Sequence, residues 1–201
     1  MTIVAAGTTA EASFSDLALA SLPRIYRLAR RLAGDGAEDL VQETLMRAYQ
    51  RFQQLQHYEA GLAWMSTIML NVYRDGLRRS KRTVVELGFE DIDEFSLYRK
   101  VEEEDPFPYS DSLHLDFLAQ FGRDDVLAVL LTMPEIYRAP LVLHYVEGYA
   151  TKEIARHLGV PLGTVLARLH RARKLFERQL WAYAEREGLL RKPRSMESVT
   201  P

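Results

Sequence analysis

Residues 149–176 read YATKEIARHLGVPLGTVLARLHRARKLF, and this stretch restricts what the chain can fold into more than any other. Thr151 is placed to cap a short helix, with Glu153 in its first turn, where the helix dipole favours an anion. Ile154, Ala155 and Leu158 make a one-sided apolar stripe. Gly159 suits a tight turn at positive φ, and Val160 turns back toward the core. Pro161 opens a second helix whose buried face is Val165 and Leu169, with Leu166 beside them. Arg168, Arg171, Arg173, Lys174 and Arg178 spread along that helix against the single acid Glu177. The pattern predicts a helix-turn-helix followed by a basic helix, a form suited to a DNA groove. A helical hairpin with merely solvated arginines is the plainer alternative. Small Ala155 at a close helix crossing, Gly159 four residues on, and the concentrated charge favour DNA.

The rest of the chain extends that electrostatic theme. The net charge of −2 over 201 residues conceals a division. Residues 1–82 carry 11 basic and 8 acidic side chains, residues 83–125 carry 3 and 13, and residues 126–201 carry 12 and 7. Two cationic blocks flank an anionic middle, which implies two nucleic-acid-binding units and a segment kept off DNA. The absence of cysteine excludes disulfides, thiolate metal sites and thiol catalysis. The start, MTIVAAGTTAEAS, lacks the pattern of a signal peptide, and no run approaches the roughly 18 apolar residues of a membrane span. A cytoplasmic location is the expectation.

Helical periodicity predicts an all-α protein of two small helical domains joined by an acidic flexible linker. Residues 1–13 read as a disordered N-terminus and 14–82 as the first domain. The linker is 83–124, with brief helical turns around Leu113–Phe121; the second domain is 125–187, and 188–201 is a tail. Phe14, Leu17, Ala18, Leu22, Ile25, Tyr26, Ala29 and Leu32 form the first helical stripe, and Pro23 kinks this helix or begins its second half. Asp35 with Glu38 resembles a capping arrangement for a helix running to about Phe52. That helix buries Leu40, Val41, Leu45, Ala48, Tyr49 and Phe52. Its other face shows Asp39, Gln42, Glu43, Met46 and Arg47, either a solvated face or, given Met46 among polar neighbours, a docking surface. A loop, Gln56–Leu62, leads to a third helix, about Leu62–Arg79, that buries Met65, Ile68, Met69 and Val72. Trp64 reads as a core anchor. Arg78, Arg79, Lys81 and Arg82 suit the helix dipole, and beside an aromatic loop they suit nucleic acid. In the second domain, an apolar helix from near Asp125 precedes one opened by Pro134 and Glu135, kinked at Pro140 and stopped at Gly148. The final helix runs through Leu180, Trp181 and Ala184 to a C-cap at Gly188.

Three segments, AEDLVQETLMRAY (37–49), AWMSTIMLNVYRDGLRRSKR (63–82) and MPEIYRAPLVLHYVEGYATKEIARHLGVPLGTVLARLHRARKLF (133–176), together resemble the bacterial extracytoplasmic-function (ECF) sigma factors of the sigma-70 family. The resemblance implies that residues 14–82 are sigma region two and residues 125–187 region four. It further implies docking of Asp39, Gln42, Glu43, Met46 and Arg47 on the beta-prime clamp helices of core RNA polymerase, with region four at the beta flap. Gln56, His57, Tyr58, Leu62, Asn71, Arg74, Arg78 and Arg79 would meet the minus-ten element and its melted strand. Thr151, Lys152, Pro161, Gly163, Thr164, Arg168, Arg171, Arg173 and Lys174 would meet the minus-thirty-five element. Ala167 stands where the family commonly has serine, which removes a phosphate-contacting hydroxyl, and Gly163 brings no side chain to a base. Length and C-terminal extension resemble the stress-responsive branch held by zinc-containing anti-sigma factors.

Such a protein performs no covalent chemistry and needs no cofactor or metal of its own. An enzyme is not supported: His57, His114, His144, His157 and His170 are scattered, with no HExxH and no glycine-rich phosphate loop. The other reading is a stand-alone helix-turn-helix regulator, which has no use for a second basic unit with an aromatic loop.

Overall fold

The computed structural model describes residues 5–79 and 118–189, with side chains from Phe14 onward. Most of the expected linker, Lys81 and Arg82, and the tail from residue 190 lie outside the described residues. Every regular element among the described residues is helical. Contacts gather these residues into two compact units, one of 5–79 with Val142–Val165 and the other of 118–141 with 166–189. Packing thus places residues 142–165 with the N-terminal helices, whereas the sequence pattern reads 125–187 as one domain.

The first unit is built on three mutually packed helices, α1 (Ala5–Ala33), α2 (Ala37–Arg51) and α3 (Gly61–Arg79). Helix α1 starts at Ala5, before the expected Phe14, so the expectation of disorder over 1–13 gives way for residues 5–13. Ala5, Ala6, Ala10, Glu11 and Ala12 are good helix formers and outweigh Gly7 and the β-branched Thr8 and Thr9. Its buried stripe is Leu17, Ser21, Ile25, Leu28, Ala29 and Leu32, while Leu22 and Tyr26 are exposed. Leu17, Ile25, Ala29 and Leu32 are buried as the stripe predicts, while Ser21 and Leu28 take the inward places expected of Leu22 and Tyr26. Pro23 lies exposed inside an unbroken helix. Asp35 does not cap α2: a 3-10 turn over Gly34–Gly36 intervenes, with Gly34 at φ +58°, and Asp35 instead lies 3.8 Å from Arg30.

Helix α2 buries Leu40, Val41, Thr44 and Ala48. The Thr44 hydroxyl is satisfied by donating to the Leu40 carbonyl at 2.6 Å. Tyr49, expected inside, is exposed, although its ring edge meets Phe14 at 5.3 Å between centroids. Helix α3 supplies Met65, Ile68, Met69, Leu70, Val72 and Tyr73 to the core, and Trp64 is half-buried. Its first residue has to be small, since a Cβ on Gly61 would collide with the Leu17 side chain.

In the second unit, α4 (Arg123–Thr132) and α5 (Glu135–Leu141) accompany the later part of the final helix. Val129, Leu180, Trp181 and Ala184 form its core, flanked by Leu118, Phe121, Phe176, Tyr183 and Leu189. The Gly122 N–H donates to Asp125 at 2.8 Å to cap α4, and Tyr183 also hydrogen-bonds that carboxylate. Those two bonds, the tyrosine's first, hold Asp125 below the usual carboxylate range. Arg138 is buried and turns its guanidinium back to the Leu131 carbonyl at 3.2 Å, closing the C-terminal end of α4.

Pro140 does not end the helix it interrupts. The backbone widens instead into a π-turn over Val142–Val146, with Glu147 N–H donating to the Val142 carbonyl at 3.1 Å. Gly148, at φ +75°, then stops it as the sequence predicts. The reading head follows as α6 (Thr151–Leu158) and α7 (Leu162–Glu187), and α7 closes at Gly188, φ +68°.

Candidate nucleic-acid interface

The expected docking residues gather on one side of α2. Asp39, Gln42, Glu43 and Met46 line a single shallow depression, and Met46 is 51% exposed. Arg47 is held at its edge, donating to Glu43 at 2.7 Å and to Asp75 of α3 at 3.3 Å. The Glu43 hydrogen bond is the main reason that Arg47 holds its proton more firmly than usual. Desolvation pushes the Asp75 carboxyl up, but hydrogen bonds from Arg47 and Arg74 outweigh it, and the group titrates below its ordinary range. This chain of charges therefore ties the α2 depression to the basic end of α3.

Between those helices, Gln56, His57 and Tyr58 are exposed, with Tyr58 keeping 46% of its surface open, and Leu62 is half-buried. A 3-10 turn over Tyr58–Ala60, closed by the Ala60 N–H on the His57 carbonyl at 3.1 Å, shapes the loop. On α3, Asn71 and Arg74 are half-buried, while Arg78 and Arg79 are exposed. Arg79 donates back to the Asp75 carbonyl at 3.3 Å.

The helix-turn-helix forms as its spacing predicts, with two corrections. Ala150 is the N-cap of α6, not Thr151, and Glu153 reaches back to accept the Ala150 N–H at 2.9 Å. Alanine has no side-chain acceptor, so only the Glu153 half of a capping box exists here. Gly159 takes φ +65°, and Val160 N–H donates to Ala155 at 3.1 Å, which seals the C-terminus of α6. Ile154, Val165, Leu169 and Ala172 are buried. Leu166, expected beside them, is 51% exposed. One residue is about 100° of helix, which carries position 166 away from the 165, 169 and 172 stripe.

The contact candidates divide by exposure. Lys152, Pro161, Gly163 and Arg173 are open to solvent, whereas Thr151, Thr164, Arg168, Arg171 and Lys174 are half-buried. Arg173 lies 3.8 Å from Glu177. The outward ridge of α7 consists of Gly163, Leu166, Ala167, His170 and Arg173, at helical spacing. The sequence reading set Leu166 beside the buried face and took His170 for a surface or packing histidine, so neither was placed on this ridge. Following the i, i+3, i+4, i+7 series outward from Gly163 would have found them.

Two regions of the chain match families of known proteins. Residues 17–83 match Sigma-70 region 2, and residues 123–176 match Sigma-70, region 4. The chain is 32% identical over 163 residues to ECF RNA polymerase sigma factor EcfG of Rhodopseudomonas palustris, covering 80% of this chain and 81% of that one.

The chain is an ECF sigma factor.

It is also 38% identical over 169 residues to SigE of Mycolicibacterium smegmatis, matching 81% of this sigma factor but 59% of that longer protein. A solved sigma factor, RpoE of Bartonella quintana in complex with the anti-sigma factor NepR, shares the fold at a TM-score of 0.53 and 23% identity. That alignment covers 84% of this chain and 96% of RpoE. Membership sets aside the stand-alone regulator. Among the described residues of this sigma factor, no helix is long and apolar enough to cross a membrane.

Proposed function

We propose that this ECF sigma factor directs core RNA polymerase to promoters carrying paired minus-thirty-five and minus-ten elements and assists in opening the DNA. The α2 depression docks on the beta-prime clamp helices through Asp39, Gln42, Glu43, Met46 and Arg47. Region four engages the beta flap, and α7 enters the minus-thirty-five major groove, with Lys152, Thr164, Arg168, Arg171 and Arg173 as its grip. The loop Gln56–Leu62 and the basic face of α3, with Asn71, Arg74, Arg78 and Arg79, take the minus-ten strand. The chain contributes binding and strand capture, and the polymerase contributes catalysis. It works in the cytoplasm under an anti-sigma factor, in keeping with stress-response control.

One observation carries this reading above the others. A polar docking depression with an exposed methionine is tied by the Glu43–Arg47–Asp75–Arg74 network to a basic helix that follows an exposed aromatic loop. A DNA-binding regulator needs only the helix-turn-helix. Run-off transcription with purified core polymerase is the test: a specific transcript that depends on this chain is expected. Polymerase-independent binding to a palindromic site, with no transcript, would refute it.

A further inference from the structure

The middle of the outward ridge of α7 is apolar. Leu166 stands there 51% exposed, with Ala167 beside it and Gly163 one turn earlier, both open to solvent. The core does not call for this leucine, because Val165, Leu169, Ala172 and Leu175 already fill the buried side of the helix. A single leucine on a surface is ordinary. What sets Leu166 apart is its place, on the crest of the helix that follows the turn of a helix-turn-helix. Gly163, Leu166 and Ala167 bring no side-chain donor or acceptor, so this stretch cannot hydrogen-bond a base edge through its side chains. The C5 methyl of thymine is the one apolar group that the four bases present in the major groove. An apolar crest there distinguishes thymine from the other three.

We propose that Leu166 is a specificity-determining residue that packs on the methyl group of a thymine in the minus-thirty-five element. The proposal rests on the reading that α7 enters that groove. Gly163 and Ala167 are too short to hold the helix away from the bases, so Leu166 reaches furthest toward them. From Gly163 to His170 the helix rises about 10.5 Å, which spans three base-pair steps of about 3.4 Å. Leu166 addresses the middle of these pairs, and His170, exposed one turn further on, brings a ring nitrogen to the next. Arg168 and Arg171, half-buried on the flanks, fix the register by holding phosphates and leave the choice of base to the crest.

The test uses the full-length chain assembled with core polymerase. The preferred minus-thirty-five sequence is first selected from duplexes randomised over that element. Each selected thymine is then replaced in turn by uracil, which pairs identically and lacks only the methyl. At one position uracil should weaken binding about fourfold, the factor for one methyl-sized group withdrawn from water. Leu166→Ala should weaken binding to the thymine duplex by at least as much and should abolish the uracil effect at that position. Leu166→Met, which keeps an apolar side chain of similar length, should restore it. Equal affinity for thymine and uracil at every position overturns the proposal, and so does a selected element without thymine. A Leu166→Ala chain that keeps the full uracil effect also overturns it, since the methyl then meets another group. Arg168→Ala with Arg171→Ala separates these results from a failure of the α7 reading. If that variant binds as tightly as the parent, α7 is not the reading helix, and the methyl contact falls with it. If it binds more weakly while uracil is neutral throughout, the methyl contact alone is refuted.

Discussion

Two glycines of one helix show how a single residue's surroundings decide the sign of a substitution. At Gly61 the helix α3 starts against Leu17, and a methyl group has nowhere to go. Gly61→Ala should therefore lower the urea midpoint, at about 1–3 kcal/mol, the usual cost of overpacking. At Gly76, in the same helix, an added Cβ meets open space. Gly76→Ala should stabilise by about 0.5–1 kcal/mol, because alanine loses less backbone entropy on folding. Equal and same-signed effects in denaturant titrations would contradict the packing described. The arginines of α7 call for a different measurement. Arg168 and Arg171 are half-buried flanks of an outward ridge rather than its crest, a position suited to phosphate rather than to base edges. Arg168→Ala with Arg171→Ala should reduce the slope of log K against log salt by nearly 2, about 0.9 for each phosphate no longer neutralised. Sequence preference on minus-thirty-five duplexes should survive, and its loss would move these residues to base recognition.

At the scale of elements, α2 shows how one helix separates folding from docking. Leu40, Val41, Thr44 and Ala48 face the core, while Asp39, Gln42 and Met46 face out. Glu43→Lys should weaken core polymerase binding about tenfold or more while circular dichroism stays unchanged, since Arg47 retains Asp75. Undiminished affinity by fluorescence titration would remove the docking assignment. The loop Gln56–Leu62 is a second separable element. Tyr58 could have packed inward, but 46% of its surface is open, and a base stacked on its ring would gain about 1–3 kcal/mol. Replacing the loop by a glycine-serine linker should spare core binding, abolish transcription from duplex promoters, and be rescued on templates mismatched across the minus-ten region. Equal loss on both templates would make the loop structural only.

Across the molecule, acid should act first on the unit that contains α6. Burial, aided by Arg156 and Arg74 and opposed by Glu153, holds His157 below its ordinary 6.5. The folded chain thus favours neutral His157, whose ring meets Tyr149 edge-on at 5.4 Å. A depressed pKa gives stability that is fully present above about 6.5 and is lost as pH falls below it. Asp75 and Asp125, also depressed, contribute only to losses nearer the carboxylate range. Unfolding midpoints should accordingly decline between pH 7 and 5, and His157→Gln should flatten that decline. An unaltered pH profile in the variant would assign the loss elsewhere. Much of this architecture was legible beforehand from local signals. Helix periods, Pro161, the turn at Gly159 and the stop at Gly188 depend on neighbours a few residues away, and sequence states those interactions directly. The family match likewise followed from ordered motifs. Other features depend on which surfaces meet at long range. Ser21 is inside and Tyr49 outside because α1, α2 and α3 cross where they do. Asp35 gives up its cap to a 3-10 turn between two packed helices, and Leu166 faces out because α7 buries the 165, 169 and 172 stripe. The pairing of Arg31 with Glu147 spans chain positions that no local period relates. Amino-acid order by itself determined the helices, the turn at Gly159, the stop at Gly188 and the kind of protein. Only tertiary structure decided that α6 rests on α3, because that contact depends on burial and charge distributed over two helices far apart in the chain.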